Sequence, residues 1–230
     1  MMKVVIATVK SWNIKLAKQL KKERDDLEIF LITAKADLHQ EVIKDINPSY
    51  IFFPHWSWKI PPEVYKNYRC IVFHMTDLPY GRGGSPLQNL IIRGLEDTKI
   101  TAIRVDAGMD TGDIYLQEKL NLNGTAEEIF IRAGKVIFRK MIPEIIQGKT
   151  HPVPQRGETV RFTRRKPSES EIKPDFDLEK VYDFIRMLDA EGYPKAFIKF
   201  GNYRMEFSRA SLKADKLIAD VQIVRDDVYE

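Results

Sequence analysis

Short apolar runs alternate with amphipathic stretches through the first third of this chain, and that alternation most restricts what it can fold into. Val4–Thr8 is followed by an amphipathic stretch over about 13–22. Leu27–Thr33 comes next, then a second helical pattern over roughly 38–45, then Tyr50–Phe53 and Cys70–Phe73. The runs are nearly continuous in apolar residues, as in strands buried on both faces of a parallel sheet. Strand and helix in turn imply an α/β fold with a doubly wound, mostly parallel sheet. Ligands of such sheets sit beyond the carboxyl ends of the strands, and His55 and His74 both fall at such ends.

Further along, Ser85 to Gly94 reads as a helix with Ser85 as N-cap and Pro86 in the first helical position. Thr101–Asp106 and Asp113–Lys119 read as strands joined by a turn that Gly108 and Gly112 relieve. A long helix over about 125–146 opens on the capping-box pattern Thr125-Ala-Glu-Glu128. Residues 1–150 form the expected catalytic domain. From His151 the composition turns to proline and charge, so 151–177 reads as a linker. Residues 178–230 read as a small C-terminal region with one amphipathic helix over 178–189 and short antiparallel strands. Gly201-Asn202 supplies a hairpin turn there.

The 230 residues are 43% hydrophobic and 30% charged, ordinary for a globular protein. No apolar run approaches the roughly 18 residues of a membrane span, so no membrane partner is expected. The first ten residues read as a strand rather than a signal peptide, which makes the cytoplasm the expected location. A single cysteine, Cys70, excludes an internal disulfide framework and a cysteine-rich zinc site, and its apolar neighbours suit a buried structural thiol. The net charge of +4 suits an anionic small molecule or simply a solvated surface. The densest basic run, Arg161–Lys166, is too short to argue for nucleic acid, so no nucleic-acid partner is expected.

Two loops carry the chemistry: His74 to Asn89 and Asp106 to Asp113. A histidine at a strand end can carry a proton near neutral pH, and the glycines let backbone amides approach a planar ligand. Gly81-Arg-Gly-Gly84 lacks the lysine and hydroxyl residue of a phosphate-binding P-loop. His74 and Asp77 lack a third ligand at suitable spacing, so no metal is expected.

The pattern His-x-x-x-Leu-Pro-x-x-Arg-Gly-x-x-Pro-x-Gln over His74–Gln88, followed by Asp-x-Gly-x-Asp-Thr-Gly-Asp over Asp106–Asp113, resembles the folate-dependent formyltransferases. That group includes methionyl-tRNA, glycinamide ribonucleotide and sugar N-formyltransferases. The resemblance implies a Rossmann-like catalytic domain and transfer of a formyl group from N10-formyltetrahydrofolate to an amine. His74 then matches the catalytic histidine and Asp110 the catalytic aspartate, the carboxylate orienting the imidazole and favouring its charged form. The family's usual asparagine two residues before the histidine is Val72 here, which cannot donate a hydrogen bond. His55 at the neighbouring strand end is a candidate donor, unless it merely packs between Trp56 and Trp58. Reliance on His74 with backbone amides, or an inactive relative, are the other readings.

The folate is expected near Leu78, Pro79, Arg82, Gly83, Ile103, Val105, Asp106 and Gly108. The acceptor is expected near Trp56, Tyr80, Tyr193, Phe197 and Arg204. The tail, Ile185–Phe197 with Tyr203–Phe207, looks similar to a segment of nucleotide-sugar N-formyltransferases, and the form His74–Gly84 looks closest to the pseudaminic acid pathway type. That likeness implies UDP-4-amino-4,6-dideoxy-N-acetyl-altrosamine as acceptor. An aminoacyl-tRNA or carrier-bound aminoacyl acceptor, and a non-catalytic folate or nucleotide-sugar binding protein, stand as alternatives. Exposed edges of the C-terminal sheet would also admit a homodimer.

Overall fold

The computed structural model describes residues 1–226. In chain order these form β1 (Met2–Ala7), α1 (Ser11–Glu23), β2 (Leu27–Ile32), α2 (Gln40–Ile46), β3 (Tyr50–Phe53), α3 (Pro62–Tyr65), β4 (Cys70–His74) and β5 (Tyr80–Gly83). They continue through α4 (Pro86–Ile92), β6 (Asp97–Arg104), β7 (Ile114–Asn121), α5 (Ala126–Val136), α6 (Ile142–Ile146) and β8 (Val160–Phe162). The last elements are α7 (Leu178–Arg186), β9 (Ala196–Phe200), β10 (Tyr203–Leu212) and β11 (Leu217–Arg225).

The chain divides into two compact units. The first comprises residues 1–83, 98–120 and 131–161; the second takes 84–97, 121–130 and the chain from Phe162. Two segments that lie inside 1–150 in the sequence therefore belong to the second unit.

The first unit is built on a six-stranded sheet in the order β2-β1-β3-β4-β6-β7. The first four strands are parallel and β6 runs antiparallel to β4, so the sheet is mostly parallel, as the apolar runs imply. Val4 to Ala7 and Ile51 to Phe53 are essentially inaccessible to solvent, which is why these strands lack polar alternation. Packed against them are Ile43, Val64 and the buried Cys70, whose thiol burial pushes up to about 12. No thiolate forms there near neutral pH.

Local signals account for most of the remaining elements. The long helix expected over 125–146 is α5 and α6 joined by a π segment, Ile137–Met141. Pro143 has no amide to donate one turn back, so regular α hydrogen bonding is interrupted at this point. The capping box is present: the Glu128 carboxylate accepts from the Thr125 amide at 2.8 Å, and the Glu128 amide donates to the Thr125 hydroxyl at 3.3 Å. Ser85 is not the side-chain N-cap the sequence suggests. Its backbone is left-handed (φ 50°), and its hydroxyl instead accepts from the Arg165 amide at 3.1 Å.

In the second unit, β9, β10 and β11 form an antiparallel sheet in the order β11-β10-β9, with a register shift between Ser208 and Ser211. Gln88 and Asn89 brace this unit: Gln88 donates to the Met187 carbonyl at 3.0 Å and Asn89 to those of Gly84, Ser85 and Thr163. Among the described residues no helix is long and apolar enough to cross a membrane.

Removing the capping hydroxyl tests how far helix termination contributes to stability. Thr125→Ala is expected to cost about 1 kcal/mol. A thermal melt should read that as a fall of about 2–4 °C for a chain of this size.

Candidate active site

His74 is the last residue of β4, where it pairs with Thr101 of β6, and its side chain is 9% exposed. Its Nε2 lies 2.8 Å from the Gly81 carbonyl oxygen. A carbonyl only accepts, so Nε2 carries the proton it donates, and Nδ1 presents its lone pair in the neutral ring. Nδ1 faces Asp110 Oδ1 at 3.6 Å, and the Asp110 side chain is 19% exposed. Two acceptors thus face one another, and a proton arriving at Nδ1 converts that contact into a charge-assisted pair.

Backbone geometry sets the Asp110 carboxylate in place. Asp110 has φ 56°, in the left-handed region that Asp tolerates better than most residues. Its Oδ2 accepts from the Gly83 amide at 2.9 Å. Gly83 has φ 114°, which a side chain would strain, so glycine allows β5 to turn its amide toward the acid. Across the loop, a Cβ on Gly112 would stand 1.7 Å from the Arg104 carbonyl oxygen, so the hairpin closes only around glycine. Asp106 is occupied within the loop, its Oδ1 accepting from the Gly108 amide at 2.9 Å and the Thr111 hydroxyl at 2.7 Å.

The expected folate residues fall into two groups. Leu78, Pro79 and Ile103 are buried, and Leu78 and Pro79 are joined by a cis peptide bond. Val105 is half-buried, whereas Asp106 to Met109 are exposed. The Arg104 and Val105 amides already donate to the carbonyls of Asp113 and Cys70, both at 2.9 Å. Arg82 donates through Nε and Nη2 to Gln155 Oε1 at 3.1 and 2.7 Å. Gln155, unremarkable in the sequence, donates in turn to the Asp110 and Gly112 carbonyls at 2.9 Å each. Gly81, Arg82 and Gly83 of β5 are therefore hydrogen-bonded to His74, Gln155 and Asp110 respectively, and Gln155 closes the group by bonding the Asp110 carbonyl.

His55 ends the turn after β3 with φ 57°. Thr8 and Asn13 both donate to the Pro54 carbonyl, at 2.7 and 3.4 Å, and hold that turn. The His55 ring meets Trp12 edge-on at 5.8 Å, while Trp56 packs edge-on against Phe53 and Trp58. Burial, then the Lys10 ammonium, push the His55 imidazole from 6.5 down to about 4. It is neutral at neutral pH and keeps one N–H. Val72 is half-buried between Phe53 and Ile103 in the sheet register. Tyr80 is half-buried on β5.

In the second unit, Tyr193 stacks on Phe130 with ring centroids 5.2 Å apart, and burial pushes its phenol up to about 12. Arg204 lies over the Phe197 ring at 4.0 Å and pairs with Asp226 at 2.6 Å. Among the described residues no group of three or more His, Cys, Asp or Glu is placed to hold a metal ion.

A doubly wound sheet with a histidine at the end of a central strand, faced by a loop aspartate, defines a class. The formyl transferase family model matches residues 4–133, more than half of the chain, and the chain belongs to that family. A second model, for the C-terminal domain of methionyl-tRNA formyltransferase, matches residues 167–224. A methionyl-tRNA formyltransferase from Clostridium botulinum is 28% identical over 198 residues, covering 83% of this chain and 60% of the relative. The chain thus spans about 60% of the length of that curated relative. A solved methionyl-tRNA formyltransferase from Clostridium thermocellum is 61% identical, with TM-score 0.96, over 98% of this chain and 100% of the other. A sugar N-formyltransferase from Shewanella shares the fold at TM-score 0.74 over 94% of this chain and 100% of its own, with 14% identity.

These comparisons overturn two expectations. The nucleotide-sugar acceptor rested on likenesses in the C-terminal tail and in the form of His74–Gly84. That tail instead matches the methionyl-tRNA formyltransferase model, and the sugar enzyme shares only the fold. The expected lack of a nucleic-acid partner falls for the same reason, since the relatives at 28% and 61% identity are both named for a tRNA-linked activity. A short basic run was too local a signal to decide it.

The depressed His55 value carries a consequence for stability. An unfolded chain binds the imidazole proton near 6.5, the folded chain only near 4. Between those values the unfolded state holds more protons, so folding stability falls as pH drops through the window. Urea unfolding at pH 7 and pH 4.5 should show the natural protein losing more stability than His55→Gln. Equal losses would mean that His55 is not kept neutral.

Proposed function

We propose that this chain transfers the formyl group of N10-formyltetrahydrofolate to the α-amino group of methionyl-tRNA. The observation that carries this reading is its 61% identity, across essentially its whole length, to a solved protein named methionyl-tRNA formyltransferase. The exposed Arg164 and Lys166 add cationic groups suited to phosphates.

The residues fit a formyl donor, because a buried imidazole with one acceptor nitrogen faces Asp110, which directly follows the exposed loop residues 106–109. When bound, the folate supplies an electrophilic formyl carbon. His74 then works through Nδ1, since Nε2 is held as a donor by Gly81. Nδ1 takes the proton that the attacking amine sheds and would pass it to the departing N10 as the formyl C–N10 bond breaks. The new N–H points at Asp110, whose charge stabilises the imidazolium while the Gly83 amide holds the carboxylate still. His55, neutral and carrying one N–H, is assigned to the developing oxyanion that Val72 cannot serve. We assign folate contact to Val105, Asp106 and Gly108, acceptor contact to Trp56 and Tyr80, and packing beneath the folate to Leu78, Pro79 and Ile103.

Incubating the protein with labelled N10-formyltetrahydrofolate and methionyl-tRNA should yield formylmethionyl-tRNA. An active enzyme that leaves methionyl-tRNA unformylated would refute the acceptor. His74→Ala is expected to lower kcat by about 10²–10⁴-fold, and a variant that kept the natural rate would remove the proton-transfer role.

A further inference from the structure

Gln155 lies in a proline- and glycine-bearing segment that no motif covers, yet its half-buried carboxamide is fully engaged. Nε2 donates to two carbonyls, those of Asp110 and Gly112, at 2.9 Å each. Oε1 accepts two N–H groups of Arg82, at 3.1 and 2.7 Å. The two carbonyls flank Thr111 in the loop that presents Asp110, and Arg82 sits on β5 between Gly81 and Gly83. Those glycines bond His74 and Asp110 respectively. One amide therefore ties the acid's loop to the strand that fixes both members of the His74–Asp110 pair.

We propose that Gln155 is a positioning residue for formyl transfer, holding the left-handed backbone at Asp110 so that its carboxylate faces His74. The amide suits this task because it donates on one side and accepts on the other. A left-handed non-glycine residue persists only where its surroundings over-determine it, and two carbonyls pinned by one amide supply that constraint. This inference rests on the formyl-transfer reading.

Gln155→Glu separates positioning from general support. The carboxylate keeps an acceptor for Arg82 but cannot donate to either carbonyl, and it is the variant best placed to retain the fold. Gln155→Ala removes both sets of bonds. With folding checked by thermal melting, both variants should lower kcat by about 10–100-fold, the scale of a misplacement near 1 Å. KM for the formyl donor should change by less than about 3-fold, since ground-state binding is not what Gln155 controls.

The Gly83 amide, which donates to Asp110 Oδ2, supplies a readout that needs no substrate. Its proton resonance should move in both variants toward its position in Asp110→Ala. Natural kcat in Gln155→Glu, or an unmoved Gly83 resonance, overturns the proposal. Failure of the natural protein to formylate methionyl-tRNA would refute the acceptor alone, because the Gly83 signal still reports where the carboxylate lies.

Discussion

The hydrogen bond from His74 Nε2 to the Gly81 carbonyl decides what the site can do. By occupying one ring nitrogen as a donor it makes Nδ1 the basic atom of the neutral ring, and Nδ1 is the atom turned toward Asp110. In the other tautomer the lone pair would sit on Nε2 against the Gly81 carbonyl, with no acid beside it to stabilise an added proton. The bond depends in turn on β5, whose Gly81 carbonyl reaches back to the end of β4 and whose Gly83 amide reaches forward to the acid.

Conformational strain gathers at this end of the sheet. Asp110 and His55 both have left-handed backbones, and both are held by polar groups at their flanks. Gln155 grips the Asp110 carbonyl, while Thr8 and Asn13 grip the Pro54 carbonyl just before His55. Left-handed conformations at non-glycine residues are disfavoured, and the strongly buried strands β1, β3 and β4 provide the rigid base against which they are kept.

Much of the first unit was legible from residue patterns, because short apolar runs without alternation, rich in β-branched and aromatic residues, suit strands covered on both faces. The capping box at Thr125 was legible for the same local reason. Ser85 was not: its type suits an N-cap, but the left-handed backbone there sends its hydroxyl to Arg165. Gln88 closes the family motif and Asn89 follows it, yet both brace backbone carbonyls of the second unit, so a place in a motif says nothing of catalysis. Gln155 had no signal at all, since its partners lie far from it in sequence. The acceptor was not legible, because the short segments His74–Gly84 and the tail are built on a fold that formyltransferases of different acceptors share.

Sequence alone determined the strand–helix alternation and the glycine-bearing loops, because each follows from residue type and near-neighbour spacing, and resemblance to the family singled out His74 and Asp110. Tertiary structure decided the rest: which imidazole nitrogen is free to take a proton, why His55 stays neutral, and how Gln155 joins Arg82 to the Asp110 loop. Those properties arise between groups brought together by the sheet and its loops, and long-range contact and desolvation leave no trace in local sequence.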